Sequence, residues 1–337
     1  MMKGTPSGKF VISLDFELMW GMFDKLSHDA YGKNLDGVHT AIPKLLELFK
    51  KYEIHATWAT VGMLMHSDVD TLKVSLSEVD TRPQYIDRNL SAYLHAHEPE
   101  LHSLPHRYFA PNLIQMILET PNQELASHTF SHYYCKEEQV DESDCSKAFA
   151  ADIAAQKNVA AEFSHKKVRS LVFPRNQWTK EASALLAQKG YEVYRGTENN
   201  FIYQSKSEVQ KTKSLLRALR LLDSYVNITG THTYKLEEAQ HEEIPLINVP
   251  SSRFLRPYSP KLSLFESLRL RRIQNAMTHA AKNGKIFHLW WHPHNFGINQ
   301  KENFAFLEKL LKHYKRLHEQ YGMQSYNMIE AATLERE

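Results

Sequence analysis

The stretch Phe10-Val11-Ile12-Ser13-Leu14-Asp15-Phe16-Glu17 sets the reading of this chain. Phe10–Leu14 is a short apolar and β-branched run, the composition of a strand, and two carboxylates follow it. The same pattern recurs along the 337 residues. Further strands are expected at Ile54–Val61, Glu124–Ser127, Arg169–Phe173, Tyr191–Tyr194, Pro245–Val249, Lys285–Trp291 and Gln324–Met328. Helical periodicity lies between them. Val38, Ile42, Leu45, Leu46 and Phe49 share one helical face. A second helix starts at Thr179, a fitting N-cap, and stops at Gly190. A third runs roughly from Leu262 to Lys282, before Asn283-Gly284. Alternating strands and helices predict an α/β protein with a mainly parallel sheet, and about eight strands predict a closed or nearly closed barrel.

Two stretches break the alternation. Met63–Asn122 is far longer than a usual connection and carries His66, His95, His97, His102 and His106. Gly196–Glu243 is polar apart from the leucine-rich run Leu215–Leu222. Both are expected to cover the barrel mouth, which leaves one domain over 1–337 with insertions at about 63–122 and 196–243.

Hydrophobic residues at 42% and charged residues at 24%, with 12 Gly and 13 Pro, exclude disordered, collagen-like and low-complexity classes. Basic residues number 41 against 39 acidic, so charge points to no nucleic-acid partner. Two cysteines, Cys135 and Cys145, exclude a disulfide framework. Met1–Lys9 lacks the apolar core of a signal peptide, and no apolar run reaches the roughly 18 residues of a membrane span. The expectation is a cytoplasmic protein.

Nineteen histidines are unusual, and three pairs stand four apart: His102/His106, His128/His132 and His288/His292. Spacing alone is weak evidence for a metal site. Position separates them. His128-Thr129-Phe130-Ser131-His132 directly follows the strand Glu124–Ser127, at the end where parallel barrels gather functional groups. Asp15-Phe16-Glu17, Arg175-Asn176-Gln177 and His292-Pro293-His294-Asn295 occupy the same place after their own strands. Asp15 and Glu17, two apart, share a strand face, so one can join two imidazoles around a cation while the other serves as a base. The ordinary alternatives are N-capping for the carboxylates and core packing for His292. Trp58, Trp178, Trp290 and Trp291 are candidates for stacking on sugar rings, although aromatic residues beside strands more often pack in the core. The basic, leucine-rich stretches Lys211–Leu222 and Leu262–Ile273 suit an anionic membrane surface, but ordinary amphipathic helices fit them better.

The ordered set resembles the polysaccharide deacetylase family (NodB homology, carbohydrate esterase family four). Ser13-Leu14-Asp15-Phe16-Glu17 is similar to the family's first motif, and Ala56-Thr57-Trp58-Ala59-Thr60-Val61-Gly62 to its second-strand signature. His128-Thr129-Phe130-Ser131-His132 matches His-Ser/Thr-x-x-His, and Leu289-Trp290-Trp291-His292 stands where the last motif falls. The resemblance implies a distorted (β/α) barrel whose insertions cover the mouth. It also implies a divalent cation, foremost zinc with cobalt, nickel or manganese as alternatives, held by Glu17, His128 and His132. Asp15 would be the base, His292 the acid, and Arg175 would orient Asp15 or meet an anionic substrate. His294 and Asn295 would join the tryptophans in binding substrate. Two departures stand out. Phe16 separates Asp15 from Glu17 where many members have adjacent aspartates, so the two roles can be exchanged. Val172-Phe173-Pro174-Arg175 replaces the usual Arg-x-Pro-Tyr.

The leading expectation is a metal-dependent N-deacetylase of an acetamido sugar, nucleotide- or lipid-linked, in a surface polysaccharide precursor such as O-antigen or capsule. A deformylase or small-amide hydrolase, and a non-catalytic carbohydrate-binding protein, are the alternatives.

Overall fold

The computed structural model describes residues 7–141, 145–203 and 214–333. Residues 1–6, which bear on the reading of the N-terminus, and Lys211–Lys213 of the basic stretch lie outside them. Nine strands form one parallel sheet: β1 (Lys9–Phe16), β2 (Ala56–Thr60), β3 (Gln123–Ser127), β4 (Ser170–Leu171), β5 (Val193–Tyr194), β6 (Ile247–Asn248), β7 (Arg253–Phe254), β8 (Ile286–Trp291) and β9 (Gln324–Tyr326). Their order is β6-β5-β4-β3-β2-β1-β8-β7, with β9 added beside the start of β1. The sheet curls with helices outside it, the distorted (β/α) barrel that the alternation predicts.

Six of the eight expected strands are longer in the sequence reading than in the ladder, among them Arg169–Phe173. That strand stops at Leu171 because Pro174 follows three residues later and Arg175 and Asn176 adopt left-handed backbone, at φ 53° and 54°. β7 was not expected. It is two residues long, between Pro250-Ser251-Ser252 and Arg256-Pro257, and has no apolar run to mark it.

Alternation along β1 decides what reaches the barrel interior. Phe10, Ile12, Leu14 and Phe16 pack outward with the helix Val38–Tyr52 and its neighbours. Val11 faces inward with Ala59, Ala126, Val172, Val193, Val249 and Ile286, closed below by Met328 and Ala331 of the helix Met328–Thr333. Ser13 and Asp15 share that parity, above Val11. Register then levels the strand ends. Phe16 pairs with Thr60, Thr60 with Ser127, Ser127 with Leu171, Leu171 with Tyr194 and Tyr194 with Asn248. One residue past this row stand Glu17, His128 and Arg195. Leu14 pairs with Trp291, which brings His292 beside Asp15.

In the helix Ser214–Asp223, Leu215 is 64% and Leu222 50% exposed. In the helix Glu266–Asn283 the buried residues include Arg269 and Arg272. No described helix is long and apolar enough to cross a membrane.

Candidate active site

Glu17 leaves the end of β1 and turns inward, with Leu18 behind it in left-handed backbone at φ 48°. The turn needs Gly21, because a Cβ there would lie 2.1 Å from the Glu17 carboxyl carbon. The carboxylate, 2% exposed, faces three imidazoles: His132 Nε2 at 3.0 Å, His128 Nε2 at 3.4 Å and His292 Nε2 at 3.5 Å.

The His128–His132 segment is a loop and not a helical turn. Thr129 and His132 both have left-handed backbone, at φ 62° and 56°. Asp152, from the helix Cys145–Phe163, pins the loop. Its carboxylate accepts from the Phe130 amide at 2.7 Å, the Ser131 amide at 3.2 Å, the Ser131 hydroxyl and the Tyr93 hydroxyl at 2.9 Å. Burial pushes the Asp152 carboxyl up to about 6 even though these donors favour its charged form. His128 Nδ1 donates to the Val172 carbonyl at 2.7 Å, and His132 Nδ1 meets the Tyr134 hydroxyl at 3.0 Å. Burial pushes the His132 imidazole down to about 4, so it is neutral near pH 7.

This donor set fits a divalent cation. Both Nδ1 atoms are occupied, which leaves the Nε2 lone pairs facing a buried carboxylate, the outer support that metal-bound histidines use. Glu17, His128 and His132 place their ligand atoms within 4.8 Å of one another. A second set, Glu17, His292 and His294, shares the carboxylate. Among the described residues no third set exists, so the histidines of the 63–122 insertion gather no metal site. His95 instead meets the Tyr108 hydroxyl at 3.0 Å, and His106 pairs with Asp36 at 2.9 Å.

Asp15 is held by Arg195, not by Arg175. Arg195 Nη1 and Nη2 donate to the two carboxylate oxygens at 2.7 Å each, in a buried bidentate pair. Burial opposes the charged form of Asp15, but the guanidinium and nearby imidazoles outweigh it and hold the carboxyl below its ordinary value. Arg195 is itself fixed. Its Nη1 also donates to Ser13 Oγ at 2.9 Å, whose hydroxyl meets His288 Nε2 at 2.8 Å. Its guanidinium lies 4.2 Å from the centre of the Trp290 ring. Arg175 pairs with Asp24 and covers the Tyr134 ring at 4.1 Å, because its left-handed turn carries it away from Asp15. Through Tyr134 it acts on His132.

The remaining candidates divide. His292 Nε2 is 3.9 Å from Asp15, and its ring stacks on His294 at 4.8 Å and 14°. His294 is buried, its Nδ1 has no partner, and burial pushes it down to about 3. Asn295 caps this turn, accepting from the His292 amide at 3.4 Å. Trp290 joins the mouth beside Phe254 and His292. Trp178 stands apart, lining a cleft of about 530 Å³ with Gly196, Glu198 and Asn248. Trp58 and Trp291 are fully buried on the outward face of the sheet, against Phe49, and can stack on no sugar. Arg195 and Asp152 carry the site without having been singled out in the sequence, and His288, named there only for its spacing from His292, supports it through Ser13. Arg195 follows its strand as directly as His128 does, so the same rule would have found it; Asp152 lies mid-helix and leaves no such signal.

Comparisons with known proteins bear on the family and the fold. The family model described as polysaccharide deacetylase matches residues 22–194, just over half of the chain. The match includes His128 and His132. No curated protein matches the sequence. Among solved structures, a Mycobacterium smegmatis protein assigned as a polysaccharide deacetylase is 12% identical, covers all of this chain and 92% of its own, and has a TM-score of 0.58. A Pseudomonas aeruginosa PAO1 protein with the same assignment is 11% identical over 96% of this chain and 89% of its own, with a TM-score of 0.54. The Puue allantoinase is 10% identical with the same coverages and a TM-score of 0.51. At these identities the likeness is one of fold.

Proposed function

The chain belongs to the polysaccharide deacetylase family, and from that premise we propose a metal-dependent N-deacetylase acting on an acetamido sugar of a surface-polysaccharide precursor of the O-antigen or capsule kind. Membership implies hydrolysis of a carbon–nitrogen bond and a carbohydrate substrate. The finer reading is carried by one observation: the Asp15–Arg195 pair stands 3.9 Å from His292, beside the Glu17–His128–His132 donor set.

In this reading Asp15, kept ionised by Arg195, takes the proton from the attacking water. His292, 20% exposed and 3.9 Å from Asp15, gives a proton to the departing amine. Glu17, His128 and His132 hold the cation, and two imidazoles with one carboxylate suit zinc first, with cobalt, nickel or manganese as substitutes. A divalent cation there supplies a Lewis acid that polarises the amide carbonyl. Trp290 borders the reacting groups, and the insertions at 63–122 and 196–243 belong to the same catalytic domain. Phe16 between the two carboxylates, and the absence of an aromatic residue after Pro174, support a substrate unlike bulk chitin.

The test is acetate release from a panel of acetamido-sugar conjugates, by protein loaded in turn with each of the four metals. Near-stoichiometric metal binding with acetate release is expected. Glu17→Gln should weaken metal binding and recover part of its rate with excess metal. Formate release in place of acetate would move the reading to a deformylase. Sugar binding without turnover under any metal would leave a carbohydrate-binding protein.

A further inference from the structure

Of the sixteen large apolar side chains exposed among the described residues, nine lie in two short stretches, 201–228 and 264–268. The two stretches touch. The Tyr225 and Phe265 rings are 6.1 Å apart, and Arg256 Nε donates to Ser224 Oγ at 2.7 Å. Leu215, Leu222, Val226, Leu264, Phe265 and Leu268 therefore share one face, with Leu264 90% exposed.

This face is held in place. Among the described side chains of the helix Ser214–Asp223 only Asp223 is buried; it pairs with Arg253 and Arg272 and accepts from the Ile228 and Thr229 amides at 3.0 Å each. An ionic pin thus fixes the helix while its leucines stay outside. Burying a leucine in water's place stabilises by about 2 kcal/mol, so a fixed, outward leucine row marks a contact surface.

Charge selects the occupant. Among the described residues of these stretches the acids are Asp223 and Glu266, both paired to arginines, Glu266 to Arg269. Arg217, Lys261 and Arg271 remain exposed around the apolar side chains. A second copy of the chain would bring these cations together, and like charges across an interface are unfavourable. An anionic bilayer accepts both features, since apolar side chains enter the headgroup boundary while arginine and lysine meet phosphates.

The face also borders the reaction site. Phe254, whose ring is 6.0 Å from His292, is two residues from Arg256. We infer that the surface formed by 214–228 and 261–271 docks the barrel mouth on an anionic lipid surface. Resting on the deacetylase reading, the substrate class is then a sugar on a lipid carrier, presented at that surface.

Vesicle sedimentation of the full chain tests this, with phosphatidylcholine vesicles made with and without phosphatidylglycerol. Binding is expected only with the anionic lipid, weakening as salt rises. Arg217→Glu with Arg271→Glu should weaken it by about 30-fold or more, at about fivefold per basic residue. Leu264→Asp with Phe265→Ser should abolish it, and both double variants should keep the circular dichroism and acetate release of the parent on a short soluble substrate. Wild-type protein left in the supernatant, or variants that bind unchanged, would overturn the inference. So would a concentration-dependent dimer in analytical ultracentrifugation that the Leu264/Phe265 variant dissolves. Sedimentation is read without turnover, so a protein that binds vesicles but releases no acetate refutes the deacetylase reading alone.

Discussion

Strands β1, β2, β3 and β8 run for eight, five, five and six residues, whereas β4, β5, β6 and β7 run for two each, yet both halves deliver side chains to one mouth. In the long half, backbone ladders fix the height of Asp15, Glu17, His128 and His292. In the short half, side chains supplement the ladder. Asn248 accepts from the Gly196 amide at 3.0 Å and donates to the Ala239 carbonyl at 2.9 Å, and Arg169 grips Glu192. The half with weak ladders supplies Arg195, the group that favours the ionised form of Asp15. Position in the long half is a matter of register; in the short half it depends on individual polar contacts, which single substitutions can remove.

Substitutions can break this contrast in graded steps. Asp15→Asn should have the largest effect, cutting kcat by up to about 10,000-fold with the metal retained, checked by turnover and metal analysis. Arg195→Gln comes next, with a loss of about 100-fold in kcat/KM as the base loses its orientation. Its diagnostic is the pH profile. In the wild type Asp15 lies below its ordinary value, so its ionised form and the stability it brings persist until the pH falls below about 4. Without Arg195, burial dominates and the carboxyl rises, so the acid limb of kcat/KM should move to higher pH. An unmoved limb would assign the base elsewhere. Gly21→Ala should displace Glu17 and weaken metal affinity by about 10- to 100-fold, read by competition with a chelator, while far-ultraviolet circular dichroism holds. Smallest is Asn248→Ala, which removes support from the turn beside Arg195. A loss of about 1 kcal/mol, or roughly fivefold in kcat/KM, is expected with metal content unchanged. An effect as large as that of Arg195→Gln would mean that the short half has no reserve.

The same contrast explains what the sequence made legible. The long strands carry enough alternating apolar residues to be recognised, and the polar residues after them reach the mouth. Alternation within those strands also separates the tryptophans. Trp290 shares parity with His288 and His292 and faces the mouth, while Trp58 and Trp291 have the outward parity of Leu14 and pack in the core. The strand-end rule applies to Arg195 as well as to Arg175, and what separates the two, the left-handed turn at Arg175 and Asn176, is invisible in residue type. Asp152 was illegible for another reason. It reaches the His128–His132 loop across the fold, and a carboxylate buried in a helix interior leaves no local pattern.

The loop that Asp152 pins has a thermodynamic consequence for ion capture. Left-handed backbone at Thr129 and His132 costs about 1 kcal/mol or more at each non-glycine position, and such a conformation persists only when its surroundings impose it. The contacts that impose it, from Asp152, Val172 and Tyr134, come from the chain itself, so part of the ordering of both imidazoles belongs to folding. At the proposed metal site, what then distinguishes one divalent ion from another is its dehydration and its match to two nitrogen donors and one carboxylate.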